Sequence, residues 1–393
     1  MSDVDLSDLK HFDDEDMEVV KFKAESVEEE LRKFPFTGVC DHVSSMYHLD
    51  KDLSKGHESL MFMIRNFANK HDFQEEYIRR LFYHDLSRSP NKVCPNVVDH
   101  EFIITQSRER VFMQACEMPE FQSMKTAVLF MEDPKILNPY GKRNEEKFSW
   151  FEPKKDLTSD FFYFVDSADL LFNHDRVRKL TFLLDKLKIA YSMSEHEKDS
   201  GYLARVVGRY NTAEKLREMN REMILKDKFK QVIVSDPHAY IELKDTFKDS
   251  SVSVWYLTDL VANKIFSLNS KQIKKRKMKA AFQSSTIMPL RTDKNAIKIM
   301  TNIGFDVVDT LFSGEHALST SEGGAFSLNF KEDSLKIAAM RLTEAKDAGA
   351  EAIVTDSPHD HSLLLKARKK FSINIKIYDL LSEVTQAVKW ARS

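Results

Sequence analysis

The sequence predicts an α/β protein in which a helical N-terminal domain precedes two copies of one α/β module, packed as a pseudo-twofold pair. Three observations carry that prediction. Apolar residues in the first third recur at helical spacing, and later short apolar runs alternate with amphipathic stretches of helical length. That second part also matches itself at an offset of 121 residues.

Taken in order, residues 1–30 hold 12 acidic and 3 basic side chains, including the run Asp13, Asp14, Glu15, Asp16. Such a segment is expected to be a solvated acidic tail, with docking to a basic partner as the alternative. Residues 31–115 are expected to be helical: Leu60, Met61, Ile64 and Phe67 fall on one face, as do Tyr77, Leu81 and Phe82. A connector is expected over 116–157. Six of the ten prolines lie between positions 90 and 153, and the stretch from Met131 to Leu157 shows neither period. The modules follow at 158–270 and 271–393, with strand candidates at Phe161–Val165, Gln231–Val234, Phe305–Val308 and Ala352–Val354. Under the 121-residue shift Met219 falls on Met340, Val232 on Ile353, Pro237 on Pro358, His238 on His359 and Leu260 on Leu381. Each copy reads helix, apolar strand, Pro-His turn, helix, short strand, helix. The basic run Lys271, Lys274, Lys275, Arg276, Lys277, Lys279 lacks interleaved aromatic readers, so it reads as a solvated connector and no nucleic-acid partner is expected.

Composition narrows the function. The 393 residues carry 59 basic and 62 acidic side chains and only 3 cysteines and 10 glycines. No apolar run approaches the roughly 18 residues needed to span a bilayer. The acidic N-terminus lacks the apolar stretch of a signal peptide, so a cytoplasmic protein is expected, or one peripheral to a membrane-associated complex. Three cysteines exclude a disulfide scaffold and any four-cysteine metal or iron–sulfur site.

At the Pro-His turns a resemblance emerges. Ser235-Asp236-Pro237-His238-Ala239-Tyr240 resembles the Ser-Cys-Pro-x-Cys-Tyr signature of the cysteine-rich CCG domain. That domain occurs in heterodisulfide reductase subunits B and D, and in the iron–sulfur subunits of glycolate oxidase and anaerobic glycerol-3-phosphate dehydrogenase. The family places one Cys, a Cys-Cys pair and a Cys-x-x-Cys in each module. Here 31 residues separate Ser167 from Asp199-Ser200, and the 35 residues from Gly201 onward lead to Asp236 and Ala239. In the second copy Ser284 or Ser285 precedes Ser319-Thr320, and 36 further residues lead to Ser357 and Asp360. Gly201 and Gly323-Gly324 resemble the family's glycines. The helical part is similar to the family's ferredoxin-like domain. The second ligand run falls on His84, Ser87, Pro90 and Cys94, and the first on Thr37, Cys40, Val43 and Tyr47.

The resemblance implies four-iron clusters in relatives, yet only Cys40 and Cys94 remain at ligand positions. A four-iron cluster is held by thiolates, and neutral Ser or Thr hydroxyls and Ala do not replace them. No cluster cofactor and no catalytic residue is therefore expected. The resemblance implies a cluster-less, non-catalytic structural or regulatory subunit of a heterodisulfide reductase-like complex, partnered by a cluster-bearing homologue or a flavoprotein. The alternative is new chemistry in the old pocket, with metal candidates at Asp236, His238, His359, Asp360 and His361. The cysteines read either as buried inert thiols or as a redox-sensitive set. The low glycine count fits a backbone that no longer passes close around clusters.

Overall fold

A computed structural model describes residues 24–67, 73–96, 98–132, 154, 159–166, 169, 173–194, 197–265, 273–288 and 293–388. The helical part comprises α1 (Ala24–Lys33), α2 (Ser45–Asp50), α3 (His57–Phe67), α4 (Glu75–Phe82), α5 (Ser89–Val93), α6 (His100–Glu117) and α7 (Gln122–Glu132). Helix α6 is the central member. Asp99 caps it by accepting from the Phe102 N–H at 3.0 Å, and Ile103, Ile104, Val111 and Phe112 are buried on it.

Two expectations about this part change. The segment expected as tail is already helical from Ala24, because Val27 and Leu31 sit one turn apart and both bury in the core. The first stretch of the expected connector also folds: Phe121, Met124 and Val128 are fully buried, which pins a 3-10 turn and α7 to α6. Most of the remaining connector lies outside the described residues.

The first α/β part runs β1 (Phe161–Phe164), α8 (His174–Lys186), α9 (Tyr202–Val206), α10 (Tyr210–Lys226), β2 (Gln231–Val234), α11 (Pro237–Thr246), β3 (Ser253–Tyr256) and α12 (Leu257–Ile265). The second runs β4 (Met278–Gln283), α13 (Lys294–Asn302), β5 (Phe305–Val307), α14 (Phe326–Asn329), α15 (Lys331–Asp347), β6 (Ala352–Thr355), α16 (Pro358–Phe371), β7 (Lys376–Asp379) and α17 (Leu380–Ala387). Each part has its own parallel sheet, ordered β1-β2-β3 and β5-β4-β6-β7. In register, Val232 pairs with Phe162 and Val254, and Ile353 with Ala281 and Ile377. Central strands of parallel sheets are covered on both faces, which is why β2 and β6 are near-continuous apolar runs. The class is mixed α/β, as the alternation predicts.

Side-chain alternation divides the apolar residues into layers. Tyr163 and Ile233 of one sheet and Phe282 and Val354 of the other face a shared core, filled by α8, α12, α13 and α17. There α8 packs on α17 and α12 on α13. The opposite faces, Phe162, Val232 and Val254 in one sheet and Ala281, Ile353 and Ile377 in the other, form two smaller cores. The basic run expected as a connector leads directly into β4, where Lys279 is an exposed strand residue.

Candidate functional site

Both Pro-His turns are strand-to-helix junctions, at the ends of β2 and β6. Proline opens α11 and α16 because the first helical turn needs no backbone N–H from it. The residue before each proline is the N-cap. Asp236 Oδ1 accepts from the N–H groups of His238 (2.8 Å) and Ala239 (3.1 Å), and the Ser357 hydroxyl accepts from the Asp360 N–H (3.2 Å). At both positions the polar side chain thus does local helix-capping work.

In the second α/β part the residues matched to cluster ligands converge. Ser285 and Ser357 each donate to the buried carboxylate of Glu322 at 2.7 Å, which also accepts from the Thr286 N–H at 3.2 Å. Thr320 donates to Asp360. The Ser319 hydroxyl accepts from the Ser321 N–H at 2.8 Å, and its carbonyl accepts from Ser45 in the helical part. Ser284 turns away and donates to Asp293. Burial raises the carboxyl of Glu322 to about 7, against the pull of its two hydroxyl donors. Burial also drives Asp360 well upward, with Glu322 as a second cause. Two buried acids beside each other in a field of hydroxyls favour the protonated form. These positions do not fit a thiolate cluster: every side chain offers oxygen, and the hydroxyls of Ser285, Ser357 and Thr320 are turned onto neighbouring carboxylates.

In the first part the matched residues are more dispersed. Ser167 lies outside the described residues. Asp199 accepts from the Gly201 N–H at 2.8 Å, Ser200 is buried, and Ala239 is fully buried in the first turn of α11. Of the metal candidates, Asp236, His238 and His359 come together, all within 4.8 Å by their ligand atoms. Asp360 is instead held by Thr320, and half-buried His361 interacts with the charges of Asp379 and Arg176.

In the helical part Ser87 receives the Ser89 N–H and Pro90 lies in the first turn of α5. Cys40, Cys94 and Cys116 are buried thiols outside any disulfide, and burial pushes the Cys40 thiol up to about 12. A thiol of that kind is neither a nucleophile nor a ready ligand at neutral pH. His84 belongs to a buried histidine cluster that the sequence reading does not assemble. The Leu86 N–H donates to His84 Nδ1 at 3.0 Å, so His84 Nε2 carries the proton and donates to His57 Nδ1 at 2.8 Å. The His100 ring stacks on His57 with centroids 4.4 Å apart. Burial lowers all three imidazoles, to about 4 for His100, keeping them neutral. Glu322 was also missed; its signal was an acid directly after the Ser319-Thr320-Ser321 run.

Against known proteins the chain is 20% identical over 292 residues to a protein from Chromohalobacter salexigens named "Probable membrane-anchored ferredoxin". The match takes in 69% of this chain but 42% of that protein, so the chain spans less than half of its relative's length. No family model matches. A solved structure described as a hypothetical protein from Helicobacter pylori superposes with a TM-score of 0.57 at 12% identity, covering 94% of this chain and 73% of that one. That likeness extends the shared fold over nearly the whole chain. Among the described residues no helix is long and apolar enough to cross a membrane.

Proposed function

We propose that this chain is a cluster-less relative of iron–sulfur subunits, acting as a non-catalytic structural or regulatory subunit of a heterodisulfide reductase-like oxidoreductase complex. Electron transfer then belongs to a partner, either a cluster-bearing homologue or a flavoprotein. One observation carries the reading: among the residues matched to cluster ligands in the second α/β part, Ser285 and Ser357 are bonded to Glu322 and Thr320 to Asp360. A pocket filled by its own hydrogen bonds keeps the surrounding fold without needing iron. The ferredoxin-named relative supports the ancestry.

The test is anaerobic purification of a tagged copy from its native cells, followed by a visible spectrum of the complex and of the separated chain. The reading expects a recovered partner that carries flavin or cluster absorbance and an isolated chain that is colourless. A chain that is itself brown, or one that emerges alone, sinks it.

A further inference from the structure

The seam between the two α/β parts holds a group of side chains that this reading leaves without a task. Asp236 is the N-cap of α11 just past β2, His238 lies in the first turn of α11, and His359 lies in the first turn of α16 across the seam. Asp236 spends Oδ1 on capping its helix, which leaves Oδ2 buried with no hydrogen-bond partner. His238 is held flat against Tyr202, with ring centroids 4.0 Å apart and planes 11° from parallel, and its Nε2 is likewise buried and unpartnered. The His359 ring centroid sits 4.0 Å from that of His238, and its Nε2 lies 3.0 Å from Asp236 Oδ2. Neither atom of that close pair makes a hydrogen bond of acceptable geometry. Asp236 is 1% exposed and His238 7%, so these orphaned atoms are not served by bulk water.

We propose that Asp236, His238 and His359 form a mononuclear site for a borderline divalent cation, zinc or ferrous iron, that joins the two α/β parts. Two imidazoles and one carboxylate are the donor set such ions take, with further positions left for water or an exogenous ligand. Metal–ligand bonds of about 2.0–2.2 Å put tetrahedral ligand atoms roughly 3.3–3.6 Å apart. The three atoms here, separated by 3.0 Å in one pair and at most 4.8 Å throughout, bracket that value. Asp360 and His361 are not part of the site. The inference needs no protein partner and stands apart from the subunit reading.

The test uses the full chain, stripped with a chelator and titrated with Co²⁺, Zn²⁺ and, anaerobically, Fe²⁺. One equivalent of Co²⁺ should give visible d–d bands that Zn²⁺ abolishes, and Zn²⁺ should raise the melting temperature. Asp236→Asn keeps a capping oxygen for α11 while removing the anionic ligand, and His359→Gln leaves both caps intact. Each should weaken binding by about 100-fold or more and erase the thermal shift, whereas His361→Gln should bind as wild type does. Absence of binding by all three ions overturns the proposal, and so does unchanged stoichiometry and affinity in Asp236→Asn and His359→Gln. Neither result touches the partner experiment, which reads colour and co-purification.

Discussion

Arg108 shows how one residue can tie the parts of this molecule together. It is fully buried on α6 and has no carboxylate among its described hydrogen-bond partners. Its guanidinium donates to the carbonyls of Leu81 (3.0 Å) and His84 (2.7 Å) in the helical part, Val206 (2.8 Å) in the first α/β part and Gly324 (3.0 Å) in the second. Burial pulls its pKa down to about 9, with the surrounding tyrosines and acids opposing, so the charge persists at neutral pH. The fork of five donors is what the site uses, and lysine offers a compact charge with three. Arg108→Lys should therefore leave buried carbonyls unpaired and cost about 1–3 kcal/mol, the range for a buried polar group left without its partner. Urea unfolding checks this; a loss below about 1 kcal/mol would show that the three parts do not depend on this residue.

At the scale of elements, the sequence was most legible where apolar pattern alone decides structure. The runs at Gln231 and Ala352 are central strands, apolar because a parallel strand covered on both faces must be; the run at Phe161 is a largely buried strand beside β2, and the short run at Phe305 is an edge strand with Asp306 exposed. Strand β7 alternates exposed and buried residues and is an edge, so it left a weaker signal. Helix α7 was not legible because its proline-rich flanks mimic a linker and its burial comes from α6 and from α9 and α14, which lie far from it in sequence, rather than from its own period. The glycine reading also changes. A Cβ on Gly323 would lie 2.3 Å from the Asp85 carbonyl oxygen, and one on Gly324 2.7 Å from that of His84. Close approach survives here, between backbone and backbone rather than around a cluster. Gly323→Ala should thus force the helical part away from the second α/β part and cost about 1–3 kcal/mol or more, since a carbonyl cannot yield as a side-chain tip can. Unfolding of the variant against wild type in urea measures it, and a neutral result would mean that this junction tolerates displacement.

For the whole molecule, the metal-candidate cluster was half legible: the Pro-His turns flagged Asp236, His238 and His359, but only the meeting of the first turns of α11 and α16 could separate them from Asp360 and His361. The ionic link between parts was not legible, since Glu101 and Arg205 lie 104 positions apart in the chain. Glu101 on α6 accepts from Arg88 (2.5 Å) and from Arg205 of α9 (2.5 Å), and Arg205 continues to Glu242 of α11 at 2.6 Å. Burial alone would raise the Glu101 carboxyl, but the two guanidiniums overcome it and hold the group at about 2, below its ordinary 4.5. A carboxyl depressed in the folded state stabilises fully above its unfolded pKa, and the contribution is lost as pH falls through the folded one. The link between the helical and first α/β parts should accordingly weaken between about pH 4.5 and pH 2. A shift of this size corresponds to on the order of 3 kcal/mol at pH 7. Glu101→Gln is the near-isosteric copy of the protonated state. Its deficit in unfolding free energy relative to wild type should be on the order of 3 kcal/mol at pH 7 and should shrink steadily toward zero on the way to pH 2. Denaturant titrations of both proteins across that range give the two curves. Curves that stay parallel would assign the deficit to packing and remove Glu101 as the acid-sensitive tie between the parts.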